Sequence, residues 1–172
     1  MRGFCRIPVS GLKEGSHLYD FKIGSRFFAS FDKSLIREAD LLAVATLVKR
    51  SAHMELNIKL SGSVKLTCDR CLELYDQQVV ADENMLVKFG DISEEDAEVM
   101  VISPGENELI LDQLIYEYSH LALPLKKMHP DDSNGNSTCD PAMLERLARH
   151  SKREDETDPR WKELEKLKNS NN

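Results

Sequence analysis

Apolar and polar positions alternate most clearly between residues 54 and 68. Met54, Leu56, Ile58 and Leu60 are separated by Glu55, Asn57 and Lys59, and Val64, Leu66 and Cys68 carry an alternation onward. A period of two puts one set of side chains on one face of a strand, so the segment predicts β-structure with one buried side. Ser61-Gly62-Ser63 breaks the apolar set with small residues, which predicts the turn of a hairpin. Residues 41–48 predict a further strand, as do residues 75–81, 85–89 and 98–102. Earlier, Tyr19, Phe21 and Ile23 alternate within a glycine-punctuated stretch, residues 4–31, that reads as short strands joined by turns. Asp32 is placed to cap a short helix over residues 34–38. Together these segments predict a mostly antiparallel sheet of about six strands.

Helical spacing takes over in the second half. Asp112 as N-cap precedes Leu114, Ile115, Tyr118, Leu121 and Ala122, which share one helical face, and Pro124 stops the run. One long amphipathic helix over residues 112–123, laid on the sheet, is the expectation. Residues 126–140 read as a polar loop, and Pro141 suits the first position of a helix over residues 142–149. The mixed-charge residues 151–172 predict a mobile tail with one short helix that starts near Asp158 and carries Trp161, Leu164 and Leu167. The fold class is therefore α+β: a mostly antiparallel β-sheet packed by one long helix, with a C-terminal helical extension. Residues 1–150 are expected to form a single domain, followed by the tail.

Length and composition support one ordinary core, with 172 residues of which 41% are hydrophobic. No apolar run approaches the ~20 residues needed to span a bilayer. The N-terminus lacks the pattern of a signal peptide, so a cytoplasmic protein with no membrane partner is expected. Net charge is -7, but it is unevenly spread. Up to Tyr75 cations outnumber acids, whereas between Asp82 and Glu117 only Lys88 stands against a run of acids that includes Asp91, Glu94, Glu95 and Asp96. Non-specific grip on nucleic acid comes from cations neutralising phosphates, so this chain cannot hold RNA over its whole surface. RNA contact is then local, through cations of the N-terminal half such as Lys49, Arg50, Lys59 and Lys65, or indirect, through a basic protein that docks on the acidic block. The plainer alternative is a solvated acidic loop and helix face.

Cysteine adds chemistry. In a reducing compartment Cys5, Cys68, Cys71 and Cys139 suit thiols or metal ligands better than a disulfide framework. Cys68 and Cys71, two residues apart at the tip of a strand, can converge on one point, as pairs do in tetrahedral zinc sites. That pair is half a site, and His129 with Cys139, flanking the polar loop, is the candidate second half; zinc is the candidate metal. The alternative leaves Cys68 packed as a small hydrophobe, Cys71 exposed beside it, and His129 and Cys139 as loop residues. A thiol redox centre is a further alternative, although the pair does not open a helix in a βαβ unit, where thiolate stabilisation would be expected. There is no Gly-rich phosphate loop, no G-x-S-x-G and no H-E-x-x-H, and His17, His53, His120, His129 and His150 share no spacing. The chain is expected not to be an enzyme and to take no small-molecule substrate.

Taken in order, several stretches resemble the bacterial YceD family, whose members are known as large ribosomal RNA subunit accumulation proteins. They are Val64-Lys65-Leu66-Thr67-Cys68-Asp69-Arg70-Cys71-Leu72-Glu73, then Leu121-Ala122-Leu123-Pro124, the His129 to Cys139 loop, and Asp158-Pro159-Arg160-Trp161-Lys162. The resemblance implies a role in synthesis, processing or stability of large-subunit ribosomal RNA, with no established enzyme activity. Some relatives look richer in cysteine after the helix, whereas this sequence has only Cys139 there, a departure that bears on the metal and not on the family. The expected partner is a large-subunit ribosomal protein or assembly factor, or ribosomal RNA itself. Arg70, Asp91, Glu94, Glu95, Asp96, Arg160 and Trp161 are the candidate partner-binding residues.

Overall fold

The structure, a computed structural model, describes residues 3–90, 99–103 and 105–151. It divides into two compact units, Met1–Thr67 with Leu74–Lys127, and Cys68–Glu73 with Met128–Asn172. The first unit holds β1 (Arg6–Pro8), β2 (Gly15–Gly24), α1 (Ser25–Phe28), β3 (Glu38–Lys49), β4 (Met54–Thr67), β5 (Leu74–Phe89), β6 (Val99–Ile102), β7 (Glu108–Ile110) and α2 (Asp112–Leu121). The second holds α3 (Pro141–Ser151).

One five-stranded sheet, in the order β2-β3-β4-β5-β6, carries the first unit, and β1 pairs with β7 in a small two-stranded sheet. Strands β2 to β5 are antiparallel neighbours, while β6 joins β5 in parallel. Ala43, Ala45 and Leu47 of β3, Leu56, Ile58 and Leu60 of β4, and Val79 and Val87 of β5 are buried on one face. Helix α2 packs against β4 and β5, burying Leu114 and Ile115. The opposite face is mixed: Lys59 is bridged to Asp82 at 3.2 Å and Lys65 to Asp76 at 3.1 Å, beside exposed Leu18, Leu42 and Val80. That division is the one alternation predicts for a half-buried antiparallel sheet.

The turn expected at Ser61-Gly62-Ser63 does not form. β4 runs on for 14 residues, and Gly62 lies between Leu41 of β3 and Val79 of β5. Leu60 and Val64 are both buried, so the alternation passes through the small residues in phase. A Cβ at Gly62 would overlap the Asp40 carbonyl oxygen and lie 2.9 Å from the Leu41 Cα, and its φ of 142° is one that side chains disfavour. Gly62 is thus a point of close approach between central strands. Likewise the segments expected as two strands at residues 75–81 and 85–89 are the single 16-residue β5.

The helices also differ from expectation. Among the described residues three short helices replace the one long helix. No helix forms over residues 34–38: Lys33 has φ 65°, the Ser34 hydroxyl accepts the Ile36 N–H at 3.2 Å, and the chain enters β3 at Glu38. This local side-chain bond competes with helix formation. The helical turn falls earlier, in α1, where Phe27 and Phe28 are buried. Helix α2 ends at Leu121, and its N-cap is Leu111 instead of Asp112. The Asp112 carboxylate accepts the N–H groups of Phe4 at 2.8 Å and Cys5 at 2.7 Å, which ties the N-terminal segment to the start of α2. Pro141 does open α3, with the Asp140 carboxylate accepting the Ala142 N–H at 3.1 Å.

Gly62→Ala is expected to lower stability by about 3 kcal/mol or more, because the new methyl group meets backbone on both counts of distance and φ. Urea denaturation followed by circular dichroism reads the loss. A change below 1 kcal/mol would mean that the central strands separate freely at this point.

Candidate metal centre

The second unit brings the predicted ligands together. Between β4 and β5 the chain makes a tight knuckle, in which the Leu72 N–H bonds the Cys68 carbonyl at 2.9 Å and the Cys68 N–H bonds the Glu73 carbonyl at 2.8 Å. Leu72 takes φ 65° to close it, although it is not glycine and is 68% exposed. The turn directs both thiols inward, leaving Cys68 and Cys71 buried. The Arg70 N–H points at the Cys68 sulfur, 3.4 Å away.

The other half comes from a second reversal. Asp131 and Ser137 form an antiparallel bridge, and the Asp132 carboxylate accepts the N–H groups of Asn134 at 2.9 Å and Asn136 at 2.8 Å. These bonds, those of Asn136 foremost, hold the Asp132 carboxyl below its ordinary range. Gly135, at φ 80°, completes the turn, and Thr138 Oγ1 donates to the Pro130 carbonyl at 2.7 Å. The loop doubles back on itself, so His129 and Cys139 stand side by side with Nδ1 and Sγ 3.7 Å apart. This closeness is the one expected of the second half of the site.

One ligand atom each from Cys68, Cys71, His129 and Cys139 lies within 4.8 Å of all the others. Cys68 and Cys139 sulfurs are 3.7 Å apart, and the Cys71 sulfur is 3.4 Å from His129 Nδ1. Zinc at its usual ~2.3 Å from sulfur and ~2.0 Å from nitrogen, with tetrahedral angles, demands edges of about 3.8 Å between sulfurs and about 3.5 Å between sulfur and nitrogen. The Cys68–Cys139, Cys71–His129 and Cys139–His129 contacts lie close to these edges, and the donor set of three thiols and one imidazole fits that metal. All four cysteines are free, and a sulfur separation of 3.7 Å is far from a disulfide bond. Cys71 is buried, not exposed as the non-metal alternative had it.

Electrostatics favours thiolate at one position. Burial opposes ionisation of Cys68, but the N–H groups of Cys71 and Arg70, with His129, outweigh it and bring the thiol down to about 5. Burial raises Cys71, and its contacts with Cys68 and Cys139 add to the rise. Cys5 stands apart in the first unit, pushed up to about 12 by burial and by the Asp112 carboxylate. A low thiol pKa is also what a redox centre needs, yet Cys68 has no exposed surface through which a substrate could reach it.

The chain's family is decided by a match across this site. A family model described as "Large ribosomal RNA subunit accumulation protein YceD" matches residues 56–168. The chain belongs to the YceD family. The matched span of this YceD protein includes Cys68, Cys71, His129 and Cys139 together with Arg70. No curated protein and no solved structure matches the chain.

Of the predicted partner-binding residues, Arg70 is the one the structure places. Its guanidinium donates to Ser137 Oγ at 3.2 Å and reaches the Met128 sulfur at 3.3 Å, so it braces the His129 to Cys139 loop against the knuckle. Asp91, Glu94, Glu95, Asp96, Arg160 and Trp161 lie outside the described residues, as does the helix expected in the tail. Met128, Ser137 and Leu72 carry structural roles that sequence reading missed. Ser137 left a faint signal, two residues before Cys139, whose N–H its hydroxyl accepts at 3.3 Å. The cations proposed for RNA are all engaged: Lys49 with the Leu12 carbonyl, Arg50 with Glu55, Lys59 with Asp82 and Lys65 with Asp76. An open depression of about 540 Å³ on the exposed sheet face is lined mostly by apolar side chains, Val48, Leu86 and Val99 among them, together with Glu55, Asn57 and Asn84. There Arg50 and His53 hold the Glu55 carboxyl below its ordinary range, and Asn57 donates to Asn84.

A non-glycine residue in the left-handed region costs about 1 kcal/mol. Leu72→Gly is therefore expected to hold or raise stability by up to about 1 kcal/mol, and Leu72→Val to lower it by a similar amount. Comparing urea midpoints of the two variants tests the strain at the knuckle. A Leu72→Gly variant less stable than Leu72→Val would refute it.

Proposed function

We propose that this YceD protein is a non-catalytic ribosome-biogenesis factor that acts in the cytoplasm. It supports synthesis, processing or stability of large-subunit ribosomal RNA by binding a ribosomal protein or assembly factor. The observation that carries the reading is the family match, whose description names accumulation of that RNA. Charge supports a protein partner over bare RNA: the net charge is -7, and Lys49, Arg50, Lys59 and Lys65 already have partners within the chain. The acidic block around Asp91 to Asp96 and the tail residues Arg160 and Trp161 are the proposed contacts. Arg70 serves the fold of the second unit.

The Cys68, Cys71, His129 and Cys139 cluster is proposed to hold zinc as a structural centre. Four protein ligands fill a tetrahedral shell and leave no position for a reacting water, which is the pattern of structural sites. The metal would cross-link the knuckle to the His129 to Cys139 loop. That role suits a unit whose described helix, α3, buries no side chain fully.

Protein purified without chelator is expected to carry one equivalent of zinc by elemental analysis, and Cys68→Ser to lose it. Stoichiometric metal in Cys68→Ser, or none in the parent, would remove the metal from the reading. In cells, deletion of the gene is expected to lower the ratio of large- to small-subunit ribosomal RNA, and crosslinked purification to recover a ribosomal protein or assembly factor. An unchanged ratio would overturn the biogenesis role.

A further inference from the structure

β2 forms one edge of the five-stranded sheet. β3 pairs with it over all ten residues in one uninterrupted register, and among the described residues no backbone bond reaches its other side. A typical strand has about 5–6 residues, and proteins commonly shorten, bulge or cover an edge because its free N–H and C=O groups are a template for another strand. β2 has neither a proline nor a bulge along its length.

The charges on this edge are the informative feature. On the exposed face of the sheet Lys59 meets Asp82 and Lys65 meets Asp76 across the β4–β5 pair. Asp20 and Lys22 lie on that same face but stand opposite Val44 and Leu42 of β3. Both are exposed, and neither has an ion-pair partner among the described residues. They are arranged as if for a strand on the other side.

We infer that β2 pairs antiparallel with β2 of a second copy of this chain, about a two-fold axis at Phe21, to make one sheet across two molecules. Side chains keep to their faces only if residues of like parity stand opposite each other. Centring the pair on Asp20 or on Lys22 would set like charges against each other. Centring it on Phe21 sets Asp20 against Lys22 of the second copy, and by symmetry Lys22 against its Asp20. On the other face Phe21 then meets its own copy and Tyr19 meets Ile23, covering two aromatic side chains that are half-buried in the single chain. The charge pattern thus admits one register and opposes its nearest neighbours. This inference stands apart from the ribosomal reading.

Sedimentation equilibrium of the full chain over a wide concentration range tests it. The protein is expected to dimerise reversibly, and Asp20→Lys and Lys22→Asp are each expected to weaken the dimer about tenfold or more, since each turns two attractive pairs into repulsive ones. The double variant D20K/K22D restores opposite charges in the same register and is expected to regain most of the affinity. Circular dichroism on each variant verifies the fold, which these exposed side chains do not hold together. A chain that is monomeric throughout, a dimer indifferent to the single changes, or a double variant no better than either single would overturn the inference.

Discussion

Hydrogen bonding along β4 is the constraint on which the first unit depends. A strand with neighbours on both sides over its whole length must satisfy two rows of backbone groups and bury one row of side chains at once. Met54 through Leu66 meet the second demand with a strict two-residue period, and Gly62 meets the first by letting β3 and β5 keep pairing where a side chain would force them apart. The registers of β3 and β5 both follow from this strand. The edge position of β2 follows in turn from β3.

The second unit is organised by a different force. Its described part has little apolar surface to bury, and its order comes from two reversals closed by short polar bonds: the knuckle at Cys68–Glu73 and the turn around Asp132. Arg70 ties one to the other through Ser137 and Met128. Small units with thin cores commonly rely on metal or disulfide cross-links. Three buried thiols and an imidazole within 4.8 Å of one another suit that need, and the Cys68 pKa is lowered by the N–H groups of Cys71 and Arg70, which belong to the knuckle.

The two charge patterns in the chain serve different readings. On the sheet, Lys59 and Lys65 meet Asp82 and Asp76 across one strand pair, whereas Asp20 and Lys22 at the edge have no ion-pair partner among the described residues. In the sequence as a whole the acids prevail, and this favours a basic protein partner over direct contact with phosphate.

The sequence by itself determined the class of fold, the presence of β-structure along β3, β4 and β6, the placement of helices α2 and α3, and the identity of the four candidate ligands; the packed face of α2 it read only in part, since Leu121 is 78% exposed and Ser119 is buried. Each rests on a local signal: a period, a proline at a first turn, or a residue type that binds soft metal. Tertiary structure decided what local signals cannot carry. Gly62 reads as a turn or as a close approach with equal ease until its neighbours are known, because the same absent Cβ permits both. Residues 34–38 lost their helix to a serine hydroxyl and to the pull of β3. Asp112 was drawn from its own helix end to the N–H groups of Phe4 and Cys5, a contact across most of the chain. The distance between His129 and Cys139 was likewise set by a loop that folds back, since separation along a chain bounds how far apart two ligands can lie but not how close they come.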